Sequence, residues 1–169
     1  LIKPDKGKIT MRGRVGALIE LGAGFNPILT GRENIYINGS VLGFNEKEIS
    51  EKFESILEFA DIGEFIDTPV QNYSSGMKVR LGFAVAAHME PDVLLIDEVL
   101  AVGDMGFRAK CFNVIDRISM NAAIILVSHT MPQIGRVCNK VNVMNHGKAV
   151  YHGKDVPKGI EYYYLNFSV

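Results

Sequence analysis

Two short apolar runs, each followed at once by a polar pair, constrain the fold more than any other feature of the chain. Val93–Ile96 precedes Asp97–Glu98, and Ala123–Val127 precedes Ser128–His129. Between the two runs, Asp104–Asn121 carries apolar residues at helical spacing. A strand buried on both faces, a helix and a second buried strand predict a parallel sheet with a right-handed crossover. Because ligands bind beyond the carboxyl ends of such strands, both polar pairs are expected to converge on one edge of the sheet.

The remaining sequence predicts a mostly helical middle and a mixed end. Thr30 with Glu33, and Asn45 with Glu48, have the spacing of capping boxes, in which two side chains satisfy backbone N–H groups of a first helical turn. The other predicted elements are strands at 8–11 and 15–21, helices at 31–42, from 45 through 60 and from 74 to about 88, a short helix at 131–137, strands near 140–144 and 149–151, and a terminal helix from about 157.

Composition limits the classes of protein to which the chain can belong. The 169 residues are 47% hydrophobic and carry a formal net charge of −1, which predicts one folded domain and gives no electrostatic reason to bind nucleic acid. Cys111 and Cys138 lie in apolar stretches, so we expect buried thiols rather than a disulfide framework. No apolar run approaches the ~20 residues that span a bilayer, and the first residues lack the hydrophobic segment of a signal peptide. These features predict a cytoplasmic protein without direct membrane insertion.

The segment Tyr73–Met77 lies 20 residues before the first apolar run. Ser74, Ser75 and Gly76 open a predicted helix, whose free backbone N–H groups and dipole favour an anion. An ordinary N-cap serine is the alternative that the local sequence allows.

The polar pairs at the strand ends have residue types suited to phosphate chemistry. Asp97 can hold Mg²⁺ through its water shell, and Glu98 can orient or deprotonate an attacking water. His129 can donate a hydrogen bond to a phosphate. The alternative is that the acidic pair only caps the next turn and that His129 is a solvated loop residue.

The order of these segments resembles the second half of an ATP-binding cassette (ABC) ATPase, over nearly the whole chain. The usual signature Leu-Ser-Gly-Gly-Gln is here Tyr-Ser-Ser-Gly-Met, a pattern familiar from polysaccharide and teichoic-acid exporters, and Ala17–Phe25 with Thr30–Asn34 resembles that class in particular. The resemblance implies that Ser74, Ser75 and Gly76 face the γ-phosphate of ATP bound to the opposite subunit. It also implies that Asp97 is the Walker B aspartate, Glu98 the catalytic glutamate and His129 the switch histidine. Asp104 would be the D-loop residue at a dimer interface.

Two of the implied roles leave alternatives open. Alignment with the family places the Q-loop glutamine at Leu21 without a gap, or at Glu20 with a shift of one. We favour Glu20 because only a polar side chain can contact Mg²⁺ or water, and a plain surface glutamate is the alternative. Asp104 also fits the N-cap of a helix over 105–121, and both of its roles are compatible.

A phosphate-binding loop of the form G-x-x-x-x-G-K-[ST] does not occur in the 169 residues. Gly7-Lys8, Gly147-Lys148 and Gly153-Lys154 lack both the preceding glycine and the following hydroxyl residue. We therefore expect an α/β, P-loop NTPase-like core that is incomplete at its N-terminus. Residues 1–29 and 90–169 would form this core, and residues 30–89 would form an inserted helical subdomain that carries the signature.

The resemblance implies the ATP-hydrolysing subunit of an ABC exporter for lipid-linked polysaccharide or teichoic acid. It implies ATP and Mg²⁺ as cofactors, a homodimer of ATPase subunits, and a transmembrane permease that holds the protein peripheral to the inner (plasma) membrane. Without the phosphate loop, we expect a truncated form that does not bind ATP normally and is inactive. A non-enzymatic remnant acting as an interaction module is the alternative. Soluble ABC ATPases of DNA repair or translation carry coiled-coil insertions or basic surfaces, which the sequence lacks.

Overall fold

The protein forms an α/β fold in a computed structural model that describes residues 4–18, 24–101 and 103–167. The chain divides into two compact units, Leu1–Ile125 and Leu126–Val169. In chain order, the elements are β1 (Val15–Leu18), α1 (Gly31–Val41), α2 (Glu46–Ala60), α3 (Ser75–His88), β2 (Val93–Asp97), α4 (Met105–Ile118), β3 (Ala123–Val127), α5 (Met131–Val137), β4 (Val141–Asn145), β5 (Lys148–Gly153) and α6 (Val156–Phe167), with 3₁₀ turns at Gly63–Asp67, Val70–Asn72 and Val99–Ala101.

A parallel sheet with the strand order β1-β2-β3 confirms the predicted fold class. Val15 pairs with Val93, and the register continues to the pair of Leu18 with Ile96. The third strand begins beside the start of β2, where the Ala123 N–H donates to the Asp92 carbonyl at 3.0 Å. Asp97 therefore lies at the carboxyl end of β2, opposite the end at which Asp92 leads into the strand.

Helices α1, α2 and α3 enclose a buried hydrophobic cluster, and both predicted capping boxes are confirmed. The Glu33 N–H donates to Thr30 Oγ1 at 3.2 Å, and the Glu48 N–H donates to Asn45 Oδ1 at 3.0 Å. The reciprocal bonds from the Thr30 and Asn45 N–H groups to the two glutamates are each 2.8 Å long. The buried cluster consists of Ile35, Phe44, Ile49, Phe53, Ile56, Ala60, Ile62, Ile66, Val70, Tyr73, Leu81, Ala84, Val85 and Met89.

Asn34, on α1, is the fully buried polar side chain that fixes the loop before this helix. Its Oδ1 accepts the Asn26 N–H at 2.7 Å. Its Nδ2 lies within hydrogen-bond distance of the carbonyl oxygens of Asn26 (3.0 Å), Leu29 (3.2 Å) and Thr30 (2.9 Å). All of these contacts are to the main chain, so they satisfy the buried amide and set the conformation of the loop together.

The second unit contains an antiparallel hairpin covered by two helices. Strands β4 and β5 pair from Val141 with Gly153 to Asn145 with Lys148. The turn uses His146 (φ 44°) and Gly147 (φ 77°), as two-residue hairpin turns require. Helices α5 and α6 bury Met131, Ile134 and Val156, against which Leu126, Cys138, Val141, Ile160 and Tyr163 pack.

Some sequence predictions were wrong. Residues 8–11 have no regular secondary structure, because Ile9 and Met11 are 67% and 45% exposed and have no packing surface to hold a strand. Strand β3 forms as predicted but is not buried, since Ile125 is 55% exposed. Helix α4 ends at Ile118 instead of 121, because the Ile118 carbonyl accepts the N–H groups of Asn121 and Ala122 in a turn.

Two further predictions are not decided by the structure. The strand predicted at 15–21 is confirmed through Leu18, and its remainder lies outside the described residues. Residues 30–89 contain helices and 3₁₀ turns, while their separation from 1–29 and 90–169 as a subdomain stays a prediction. Within the described ranges, no helix combines the length and apolarity needed to cross a bilayer.

Candidate functional site

Asp97 and Glu98 lie at the carboxyl end of β2, and both side chains are exposed. Glu98 has a φ of 55°, which costs an L-residue with a Cβ roughly 1–2 kcal/mol. This left-handed residue turns the chain from the strand into the Val99–Ala101 turn. Backbone strain of this kind is concentrated at functional sites, where the surrounding structure maintains it.

The Ser74–Gly76 segment forms the N-terminus of the 14-residue helix α3. Ser74 is the N-cap, and its Oγ accepts the Met77 N–H at 3.2 Å. The first N–H groups of a helix have no intrahelical acceptor, so those of Ser75 and Gly76 are oriented outward. All three residues are exposed, and a Cβ added at Gly76 would meet only Ser74 Oγ, at 3.8 Å. The segment therefore combines an N-cap serine with an open approach for an anion.

Tyr73 occupies the position where the usual signature has leucine, and its side chain is both buried and hydrogen-bonded. The side chain is 5% exposed within the helical cluster. Its hydroxyl donates to the Phe65 carbonyl at 2.6 Å. Burial raises the pKa of the Tyr73 phenol, and the nearby Asp67 carboxylate adds to the effect. The residue thus anchors the segment before α3 to the 3₁₀ turn that precedes it.

Asp104 is the N-cap of α4, which confirms one of the two roles predicted for it. Its Oδ1 accepts the Phe107 N–H at 2.8 Å, and its Oδ2 accepts from Arg80 Nη2 at 2.6 Å. The Phe107 N–H bond, with the Arg80 guanidinium, lowers the pKa of the Asp104 carboxyl. Gly103 is required just before it, because φ is +80° there and an added Cβ would lie 2.8 Å from Phe107 Cδ1. The interface role of Asp104 stays a prediction.

Arg80 was not identified from the sequence. Its Nη1 contacts Asp61 Oδ2 at 3.1 Å, in addition to its bond with Asp104. Asp61 is the left-handed C-cap of α2. No sequence pattern pairs positions 61, 80 and 104, because three different helices bring them together.

Ser128 and His129 follow β3 in the second unit. Ser128 Oγ donates to Gln133 Oε1 at 3.1 Å and accepts the Thr130 N–H at 3.0 Å, so this hydroxyl orders the turn into α5. His129 is exposed. Its predicted convergence with Asp97 and Glu98, which belong to the first unit, stays a prediction. Glu20 and Leu21, the two positions considered for the Q-loop, lie outside the described residues.

Asp97 is the acidic residue of the site that could hold a magnesium ion through its water shell. Among the described residues, no group of three or more His, Cys, Asp or Glu side chains is placed to hold a metal ion. Mg²⁺ in phosphoryl-transfer sites keeps several waters and takes one or two carboxylates plus substrate phosphates. The exposed carboxylate of Asp97 at the end of a parallel strand fits this requirement.

Comparison with known proteins identifies the family. A family model described as ABC transporter matches residues 1–101. The chain belongs to the ABC transporter family. This confirms the resemblance inferred from the order of the signature, Walker B and switch segments. A solved structure titled "Structure of ATP binding subunit of ABC transporter" has the same fold, with a TM-score of 0.77 and 18% identity over 88% of this chain and 62% of that one.

The relatives of this ABC protein include export proteins. It is 52% identical to the O-antigen export system ATP-binding protein RfbB of Klebsiella pneumoniae, over 83% of this chain and 58% of that protein. It is 47% identical to the ABC transporter protein AbcA of Aeromonas salmonicida, over 97% of this chain and 53% of the relative. The teichoic acids export ATP-binding protein TagH of Shouchella clausii is 44% identical, over 88% of this chain and 41% of its own length. The chain thus spans little more than half of the first two relatives.

Proposed function

We propose that the chain supplies the signature, Walker B and switch segments of the ATP-hydrolysing subunit of an exporter for lipid-linked polysaccharide or teichoic acid. The observation that carries the proposal is its similarity to O-antigen and teichoic-acid export ATP-binding proteins, at 44–52% identity over at least 83% of the chain. The open N-terminus of α3 and the acidic end of β2 support it.

Each site residue has a role that its chemistry can fulfil. Ser74, Ser75 and Gly76 bind the γ-phosphate of ATP held by a second subunit, through N–H and hydroxyl donors. Asp97 holds Mg²⁺ through water, and the Glu98 carboxylate orients the attacking water and accepts its proton. His129 donates a hydrogen bond to the γ-phosphate. ATP supplies the phosphoanhydride bond, whose transfer chemistry is mainly a matter of positioning and charge stabilisation.

Two further residues and two protein partners complete the proposal. Asp104 lies at the interface of a homodimer of ATPase subunits, and Glu20 acts as the Q-loop residue near Mg²⁺. A transmembrane permease binds the dimer and keeps it at the cytoplasmic face of the inner (plasma) membrane. The relatives' names, which describe ATP-binding proteins of export systems, support a permease partner.

By themselves, the 169 residues should bind MgATP weakly or not at all. The sequence contains no phosphate-binding loop, and each missing charge-assisted hydrogen bond is worth about 1.5–3 kcal/mol. Isothermal titration with MgATP tests this expectation, and a low-micromolar Kd would contradict it. Such a Kd would also argue against the alternative of a non-enzymatic interaction module.

Glu98→Gln tests the catalytic assignment in an ATP-hydrolysing form, in which the chain is joined to an upstream strand, phosphate loop and helix of an ABC ATP-binding protein. We expect kcat to fall by about 10²–10⁴, with ATP still bound, because the amide keeps the shape of the side chain and removes the base. Glu58→Gln on the exposed side of α2 is the matched control and should retain full activity. His129→Ala should also slow hydrolysis. Unchanged rates in Glu98→Gln and His129→Ala would refute the assignment.

A further inference from the structure

Three helices of the first unit meet around a cluster of phenylalanine rings. Phe59 of α2, Phe83 of α3 and Phe107 of α4 have centroid separations of 5.8, 5.5 and 6.0 Å. Arg80 lies at the margin of this cluster, with its Cζ 5.4 Å from the centroid of Phe107. The rings provide a rigid base on which the guanidinium group is held by a cation–π contact.

From this base, the Arg80 guanidinium joins the ends of two other helices. It contacts Asp61, the C-cap of α2, at 3.1 Å and Asp104, the N-cap of α4, at 2.6 Å. The Arg80 side chain is 25% exposed, whereas the two carboxylates are 70% and 59% exposed. Both oxygens of Asp104 are engaged, one with Arg80 and one with the Phe107 N–H. Arg80 therefore restrains the residue that caps α4.

We propose that Arg80 is a positioning residue, which holds the Ser74–Gly76 end of α3 in a fixed relation to the Asp104 end of α4 by bridging Asp61 and Asp104. Ser74–Gly76 precedes Arg80 on the same helix by fewer than two turns. The bridge thus couples the position of Ser74–Gly76 to that of Asp104. This proposal rests on the proposed function only for its effect on hydrolysis.

The chemistry of the bridge requires arginine. The planar guanidinium presents several N–H donors in a fixed fork, so it can serve two carboxylates while its face lies on an aromatic ring. A lysine at the same position has a single ammonium group and cannot keep both contacts in the same geometry. Arg80→Lys should therefore behave as a partial loss and not as a rescue.

The first experiment measures the bridge without any activity. Amide hydrogen exchange is compared by NMR in the 169-residue chain and in Arg80→Met, at the capped amides of Met77 and Phe107. We expect exchange at both amides to accelerate about two- to fivefold, the size of effect that exposed ion pairs produce. Arg32→Met is the matched control, because Arg32 also pairs with a carboxylate, Asp67, at 2.7 Å and lies over the Phe53 ring at 4.6 Å. It should leave both amides unchanged.

The second experiment measures the consequence for hydrolysis, in the ATP-hydrolysing form described above. Arg80→Met should lower kcat about tenfold, because the signature is no longer oriented, while KM for ATP changes less than about twofold. Asp104→Asn keeps an N-cap acceptor and removes the charge, so it should produce a similar loss. The double variant should be little slower than Arg80→Met alone, because both changes act on the contact between Arg80 and Asp104.

The outcomes separate the two proposals. Unchanged exchange at Met77 and Phe107 in Arg80→Met would overturn the bridge, whatever the ATPase result. Faster exchange with an unaltered kcat, or additive losses in the double variant, would overturn its positioning role. A joined form without any ATPase activity would count against the proposed function, and hydrogen exchange would still decide whether Arg80 couples α3 to α4.

Discussion

At the scale of the single residue, Glu98 combines a proposed chemical role with an unfavourable backbone. Its φ of 55° places a β-carbon where glycine would be preferred. The side chain therefore remains at this position at a cost in stability. A glycine would adopt this conformation without strain, so the proposed role of the carboxylate gives a reason for a side chain at this position.

Two substitutions separate the backbone strain from the carboxylate. Glu98→Gly and Glu98→Ala both remove the carboxylate and every contact that it makes, but only glycine relieves the left-handed strain. We expect Glu98→Gly to be more stable than Glu98→Ala by about 1 kcal/mol. Urea unfolding followed by circular dichroism provides the measurement. Equal midpoints for the two variants would show that the turn after β2 is not strained.

At the scale of the element, the helices that begin with capping boxes are fixed by local sequence. Asn45 and Glu48 exchange hydrogen bonds at the start of α2. Glu48 also contacts Arg14 at 3.0 Å. The hydrogen bond from the Asn45 N–H, followed by that from Arg14, lowers the pKa of the Glu48 carboxyl. The start of α2 is thus stabilised both by its own capping box and by the tertiary contact of Glu48 with Arg14.

Loss of the cap should destabilise the protein measurably. Asn45→Ala removes the acceptor for the Glu48 N–H, and we expect the free energy of unfolding to fall by about 1 kcal/mol. Asn45→Asp keeps an acceptor at the N-cap and should lie within a few tenths of a kcal/mol of the parent. Denaturant titrations of the two variants test this pair. Equal losses would mean that the side chain matters for another reason.

Features that depend on residues close together in the sequence could be predicted, whereas features that depend on contacts between distant residues could not. Thr30, Asn45 and Ser74 were predicted as helix starts, because an N-cap depends on residues three positions away. The strand at 8–11 was predicted wrongly, since alternating residues form a strand only beside a partner. The bridge of Arg80 to Asp61 and Asp104 could not be predicted, because it depends on how three helices pack.

At the scale of the whole molecule, stability should depend on pH through His88. The half-buried ring lies 5.0 Å from that of Phe59, and Nδ1 is 2.9 Å from the Ala84 carbonyl oxygen. Burial is the main reason that the pKa of His88 is lowered from its usual 6.5, and Arg117 and Lys52 add to the effect, while the Ala84 carbonyl and Glu90 oppose it. The unfolded chain therefore takes up a proton near pH 6.5 that the folded protein takes up only at lower pH.

The sign of the pH dependence follows from this difference. The contribution of His88 to stability is present above about pH 6.5 and is lost as the pH falls toward the lowered pKa. We expect the urea midpoint to decrease between pH 7.5 and 5.5, and His88→Gln to reduce that decrease. His152→Gln, a change at an exposed histidine of β5, is the control and should keep the parent's decrease. An identical decrease in His88→Gln would contradict the assignment.

The buried amide of Asn34 determines which changes the neighbouring loop will tolerate. Asn34 bonds only to main-chain atoms of the loop, so it recognises a backbone path and is indifferent to the side chains along it. Ile28 is 74% exposed within that loop, so its side chain can be replaced while the backbone stays in place. The backbone path of the loop thus depends on one buried asparagine, and the surface that the loop presents depends on its exposed side chains.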